Sequence, residues 1–232
     1  MDEDIHAIFS SIANRYDLLN TVLTLNIDSL WRKKAVQRCE IKANHSVLDL
    51  CCGTGKMIAE ICKRSDHTVT VVGLDLNHEM LEIAEKRLIN ARRTHDIRLL
   101  EGNILSIPFA ESSFDVVTIG FGLRNIADYK RALREIRRVL KPGGRLVCLE
   151  LSKPEARFFL SIYNVFFNYL LPVIGSIGTG DKGAYRYLRD SVNRFMNKEQ
   201  LHSALKEAGF MQTGYLSLTQ GIASIHFGRK DR

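Results

Sequence analysis

The chain has 232 residues, 45% of them apolar, and a formal net charge of +7. That is enough for one sizeable domain with additions, and it is compatible with an anionic surface, whether nucleic acid or membrane lipid. Five cysteines, an odd number with no C-x-x-C pair, exclude a disulfide scaffold, lead us to expect no metal site and fit a reduced, cytoplasmic protein.

The acidic opening Met1-Asp2-Glu3-Asp4 does not read as a signal peptide. Residues 5–40 place apolar side chains at helical spacing, with Ile5, Ile8, Phe9 and Ile12 on one stripe and Tyr16, Leu19, Val22 and Leu23 on the next, so helices precede the sheet. From residue 47 the period changes. A strand at 47–50 leads into a helix at 56–63 and a second strand at 69–74; Asn77 then caps a helix at 77–90, with Glu79 in its first turn. Strands at 97–101 and 114–119 follow, separated by a loop that begins at 102–108. Asp128 caps a helix running to about Leu140, where Lys141-Pro142-Gly143-Gly144 stops it. A strand at 145–149 completes an alternation that predicts an α/β fold with a doubly wound, mostly parallel sheet.

The alternation fails over 154–197. Residues 158–174 hold four of the eleven phenylalanines, and the polar positions Ser161, Asn164 and Asn168 leave a wide apolar face on a helix. With 17 residues and Pro172 inside, this segment is too short and too polar for a membrane span. It reads as a core helix, as a pocket for an acyl or prenyl chain, or as a membrane-facing lid. Beyond it, an amphipathic helix at 198–209 precedes a hairpin, strands 215–218 and 222–227 around Thr219-Gln220-Gly221, which closes the sheet with an antiparallel pair. The expected organisation is one domain over 1–232: N-terminal helices 1–45, a ligand-binding core 46–153, a helical insertion or lid 154–197, and a closing helix and hairpin 198–232.

The densest chemical signal is Val47-Leu48-Asp49-Leu50-Cys51-Cys52-Gly53-Thr54-Gly55, an apolar strand that carries an acid and breaks into a glycine turn and a helix. Glycines there let the backbone approach a ligand with no Cβ in the way, and the helix start offers unpaired N–H groups. Asp75 ends the next apolar run, twenty residues after Gly55, where an acid can accept hydrogen bonds from two ribose hydroxyls. A dinucleotide site needs a third small residue for close helix packing. Ile58 stands there instead, and no P-loop Gly-Lys-Ser/Thr is nearby. The familiar ligand with a ribose and no phosphate is S-adenosylmethionine. The expectation is therefore the class I S-adenosylmethionine-dependent methyltransferase architecture, Rossmann-like, with an antiparallel terminal strand and helical additions. Cys51 and Cys52 read as small residues where glycines often stand.

The acceptor leaves a sharper mark. Enzymes that methylate base amino groups place Asn/Asp-Pro-Pro-aromatic after the fourth strand, and cytosine C5 attack uses a Pro-Cys pair. This chain has Gly120-Phe121-Gly122-Leu123-Arg124-Asn125 there and neither proline pair, which disfavours nucleic acid. That segment, Asn14-Arg15-Tyr16-Asp17-Leu18-Leu19-Asn20, Leu30-Trp31-Arg32, the glycine turn, residues 140–145, Leu149-Glu150-Leu151-Ser152-Lys153-Pro154 and Tyr185-Arg186-Tyr187-Leu188 together resemble the UbiE/MenG family, in order from about residue 5 to the C-terminus.

The resemblance implies C-methylation of a polyprenyl quinol, demethylmenaquinol to menaquinol, with S-adenosylmethionine as donor. A ubiquinone precursor or another small apolar acceptor is the alternative. The cysteine pattern, the apolar segment 158–174 and the net charge of +7 lead us to expect a cytoplasmic enzyme that visits the inner face of the membrane, peripheral and in transient contact with its surface. By position, the donor-binding residues are Asp49, Gly53, Thr54, Gly55, Asp75, Leu76, Asn103, Ile104 and Gly120. Gly120 departs from the family, which often has serine there, and so lacks a hydroxyl. The catalytic candidates are Arg124, Tyr16 and Asn125. An aromatic carbon attacks well when a ring oxygen pushes electron density in, most strongly as phenolate. Arg124 suits a fixed cation beside that oxygen or, alternatively, the partner of an acid that anchors the loop. Asn125 suits orienting the ring. Tyr16 suits facing the acceptor, and Asp17 suits capping its helix or taking a proton. Tyr185, Arg186 and Tyr187 close over the quinol head or pack the insertion, while His78 and His226 read as satisfied or exposed side chains.

Overall fold

The computed structural model describes residues 17, 21, 24, 26–153 and 182–232. Helix α1 (Ile27–Arg38) leads into β1 (Ser46–Leu50), α2 (Lys56–Cys62), β2 (Thr70–Asp75), α3 (His78–Leu88), β3 (Asp96–Glu101) and β4 (Phe114–Gly120). Helix α4 (Tyr129–Val139) and β5 (Leu140–Leu151) follow; beyond the insertion come α5 (Lys182–Arg194), α6 (Lys198–Glu207), β6 (Met211–Leu218) and β7 (Ala223–Arg229).

The seven strands form one sheet in the order β3-β2-β1-β4-β5-β7-β6. β1 to β5 are parallel to one another, and β7 runs antiparallel to both β5 and β6. Strand order reverses between β1 and β4, so their carboxyl ends open a crevice, as in other doubly wound sheets. The central strands are apolar without alternation because both faces are covered. Val47, Val71 and Val116 pack with Ile58, Ile61 and Leu88 on one face, and Leu48, Val117 and Leu146 pack with Leu133, Ile136 and Leu205 on the other.

Local signals set the helix starts. The Asn77 side chain accepts from the Met80 N–H at 2.9 Å and that of Asp128 from Arg131 at 2.9 Å; Asn197 and Gln200 form a capping box. Two strands begin earlier than the sequence pattern indicates. Leu140 already pairs with Phe114, and the proline and glycines after it are absorbed by a register shift between Phe114 and Val116. β6 starts at Met211, where polar residues and a second shift hide the strand period; a Cβ on Gly214 would lie 2.7 Å from the Phe227 ring. Residues 158–174, like Tyr16, lie outside the described residues. Among the described residues no helix is long and apolar enough to cross a membrane.

His226 on β7 is a core residue bonded through one ring nitrogen, its Nδ1 having no hydrogen-bond partner among the described residues. It is fully buried, its Nε2 donates to the Lys198 carbonyl at 2.8 Å, and it stacks on Tyr215 at 5.5 Å. Burial pushes its pKa down to about 4. A base depressed on folding binds its proton more readily in the unfolded chain, so its contribution to stability is lost as pH falls from about 6.5 towards 4. The total loss should be on the order of 3 kcal/mol. Buried Asp49, pushed up to about 7, has the opposite slope, so the informative quantity is a difference. Urea unfolding of wild type and His226→Phe across this range should show the wild type losing more stability in acid; parallel pH curves would refute the assignment.

Candidate active site

The glycine turn between β1 and α2 alternates into left-handed backbone: φ is 51° at Cys51, 51° at Gly53 and 76° at Gly55. For Cys51 this conformation costs about 1 kcal/mol, and the position is one that glycine would occupy without strain. Cys51 is accommodated because a glycine faces it: a Cβ on Gly122 would stand 2.5 Å from the Cys51 Cβ. The close packing of α2 on the sheet also has a partner outside the turn. A Cβ on Gly73 of β2 would meet Ile58 Cδ1 at 2.6 Å, so the small residue sits on the strand and the bulky one on the helix. An isolated glycine in the apolar run Val71-Val72-Gly73-Leu74 was the available signal.

Asp75, at the end of β2, holds the turn in place. Its Oδ2 accepts from the Gly53 N–H at 2.7 Å and its Oδ1 from the Asn77 N–H at 2.9 Å. A cleft opens there, lined by Gly53, Asp75, Leu76, Asn103, Ile104 and Gly120 together with Phe121 and Asn125. It continues past Cys51, Gly53, Gly120 and Phe121 into a charged recess bounded by Asp49, Thr54, Asp17, Arg32 and Lys56. The structure thus gathers eight of the nine expected donor residues, plus Asn125, around one crevice. Gly55 instead packs on α3, 3.1 Å from Ala84 as a Cβ would sit, and shapes the turn from below. At Gly120 an added Cβ would come 3.0 Å from Met57 Cε, so methionine fills the space beside it.

Lys56 belongs to no motif, and Arg32 entered the sequence reading only within Leu30-Trp31-Arg32, with no role assigned to it. Arg32 is bound to Asp28, and its guanidinium lies 5.2 Å from the Phe121 ring centroid. The Thr54 hydroxyl donates to Asp17 Oδ1 at 2.9 Å, and the same carboxylate pairs with Lys56 at 3.3 Å and with Arg87. Asp17 therefore ties the segment before the sheet to the turn. Asp49 Oδ1 accepts from the Thr118 hydroxyl at 2.6 Å, while Oδ2 is buried with no hydrogen-bond partner among the described residues. Burial pushes the Asp49 carboxyl up to about 7 and the Cys51 and Cys52 thiols well above their ordinary range, which keeps both thiols protonated.

Beyond β4 the chain turns through Phe121, whose φ is 59°, into Leu123–Asn125. Arg124 points beneath this loop and lines neither part of the crevice. Its Nη1 pairs with Glu150 Oε1 at 2.7 Å and donates to the Phe121 carbonyl, and its backbone N–H donates to Glu150 Oε2 at 3.1 Å. Both side chains are buried, 4% and 1% exposed, so the guanidinium charge is balanced in place. Of the two readings open for Arg124, this geometry matches the loop anchor. Asn125 accepts from the Tyr187 hydroxyl at 2.7 Å, which joins α5 to the crevice wall.

The residues present fit an adenosyl ligand with a cationic amino-acid tail: a strand-end acid on the nucleoside side and, at the other end, a buried carboxylate oxygen in need of a donor. This crevice, at the carboxyl ends of β1, β2 and β4 of a sheet closed by a reversed β7, defines an S-adenosylmethionine-dependent methyltransferase. A methyltransferase of that kind from Aquifex aeolicus shares the fold at TM-score 0.62 and 16% identity, over 86% of this chain and 89% of that one. So does Haemonchus contortus phosphoethanolamine N-methyltransferase 2, solved with S-adenosyl-L-methionine, at TM-score 0.62 and 15% identity, over 87% of this chain and 52% of that one. More particularly, the chain belongs to the ubiE/COQ5 methyltransferase family, whose model matches residues 1–230. It is 37% identical over 228 residues to the demethylmenaquinone methyltransferase of Staphylococcus saprophyticus, covering 98% of this chain and 97% of that one.

Proposed function

We propose that this methyltransferase C-methylates the ring of a polyprenyl quinol, converting demethylmenaquinol to menaquinol. The observation that carries the reading is end-to-end similarity to an enzyme named for demethylmenaquinone, 37% identity over 97% of that enzyme's length. S-adenosylmethionine, when bound, supplies an activated methyl group on a sulfonium, so the protein's task is mainly to hold and align. Asp75 fixes the ribose and the glycine turn together. Phe121 and Asn125, which line the same cleft as Asp75, bound the place where an aromatic acceptor would meet the donor, and the Tyr187 hydroxyl holds the Asn125 amide in one orientation. Tyr16 keeps its proposed place on the acceptor side.

Arg124 enters as a positioning residue. Its Nη1 donates to Glu150 and to the Phe121 carbonyl at once, and a lysine ammonium, on a shorter stem, does not reach the same point. Arg124→Lys should therefore lower turnover by roughly tenfold, about 1.4 kcal/mol, while donor affinity stays within about twofold. Unchanged turnover would remove Arg124 from the reaction. Because a prenyl chain partitions into lipid, we further infer that the enzyme meets its acceptor at a membrane surface, with the net charge of +7 favouring anionic lipid. The decisive assay supplies purified protein with S-adenosylmethionine and demethylmenaquinol. Menaquinol should form; donor binding without methylation of this quinol, or preference for a benzoquinol precursor, would overturn the acceptor.

A further inference from the structure

We propose that the Asp17 side chain stands in for the α-carboxylate of the methyl donor in the free protein, and that the arriving donor displaces it from a seat formed by Thr54 and Lys56. This rests on the donor site described above and adds to it a competition for one seat. The crevice and the charged recess share Cys51, Gly53, Gly120 and Phe121, whereas Asp75, Leu76, Asn103 and Ile104 line the crevice alone. A nucleoside on the Asp75 side therefore sends its amino-acid tail into the recess, where the chain already places a carboxylate of its own.

Asp17 faces the recess with one oxygen and turns away from it with the other. Its Oδ1 accepts from the Thr54 hydroxyl at 2.9 Å and lies 3.3 Å from the Lys56 ammonium; its Oδ2 is held by Arg87, which lines neither the recess nor the crevice. A donor carboxylate meets the same two partners there, a hydroxyl and an ammonium. Among the described residues lining the recess, the other cation is Arg32, and Asp28 already engages it. Two carboxylates on one ammonium repel each other, so the donor and Asp17 compete for Lys56. Displacement strands no charge: Asp17 keeps Arg87, and both of these side chains reach water, at 22% and 29% exposure.

Titration calorimetry with two pairs of ligands reads the exchange. S-adenosylmethionine and S-adenosylhomocysteine carry the α-carboxylate; decarboxylated S-adenosylmethionine and methylthioadenosine do not. Asp17→Asn keeps the size and an acceptor oxygen but removes the charge, so it should tighten the first pair by about fivefold and leave the second within about twofold. Lys56→Met should weaken the first pair by about tenfold, with the second again little changed. Arg87→Gln removes the outer partner of a displaced Asp17 and should weaken the first pair by about threefold, opposite in sign to Asp17→Asn although both substitutions break the same ion pair. A side chain that merely fastened the turn would give the two substitutions the same sign, on all the ligands alike. That result, unchanged affinities in Asp17→Asn, or a Lys56→Met loss shared equally by the decarboxylated ligand would each overturn the exchange and leave the donor site standing. Failure of wild type to bind S-adenosylmethionine at all would overturn the donor site and this inference together.

Discussion

Glu150→Ala should destabilise the protein by about 3–5 kcal/mol, because it strands the buried Arg124 guanidinium and two backbone donors. Glu150 is fully buried and serves Arg124 Nη1 at 2.7 Å, the Arg124 N–H at 3.1 Å and the Leu151 N–H at 2.9 Å. The charge cannot titrate away, since arginine keeps its proton throughout the accessible pH range. Urea unfolding reads the effect as a drop in midpoint at constant slope. The pair itself need not be strongly stabilising, because desolvation opposes the Coulomb attraction. Arg124→Met combined with Glu150→Leu should accordingly recover much of the loss while activity stays low, since the Phe121 carbonyl is left without its clamp. A loss below about 1 kcal/mol in Glu150→Ala would show that the pair is not an isolated buried charge pair.

Asp75→Ala should weaken S-adenosylmethionine binding by about 2–3 kcal/mol, some 30- to 150-fold. Two effects of the same sign combine here. The variant loses an acid placed to accept from the ribose, and it frees the Gly53 N–H, now held at 2.7 Å, so the turn is no longer pinned to β2. Asp75→Asn keeps an acceptor oxygen and the side-chain shape but not the charge, and should fall between wild type and alanine. Titration calorimetry on the three proteins gives the ranking, and wild-type affinity in the alanine variant would remove Asp75 from the donor site.

Much of this was legible along the chain. Apolar runs without alternation announced strands buried on both faces, and the residues at Asn77 and Asp128 announced helix starts, because caps and periods are local properties. The donor chemistry was equally local: an acid, a glycine turn and a second strand-end acid lie within thirty residues of one another. The order of motifs from Asn14 to Leu188 carried the family.

What the sequence by itself determined, then, is the sheet-forming core, the class of ligand and the family; the tertiary structure decided what individual polar side chains do there. Arg124 could be a cation beside a phenolate or an anchor, and only its meeting with Glu150, 26 residues away, distinguishes the two. Asp17 could be a cap or a base, and its partners Thr54 and Arg87 lie 37 and 70 residues on. The upward shift of the Asp49 carboxyl likewise follows from burial, partly offset by the hydroxyl of Thr118, 69 residues away. Pairing and desolvation depend on distances across the folded molecule, and no period of 2 or 3.6 residues encodes them.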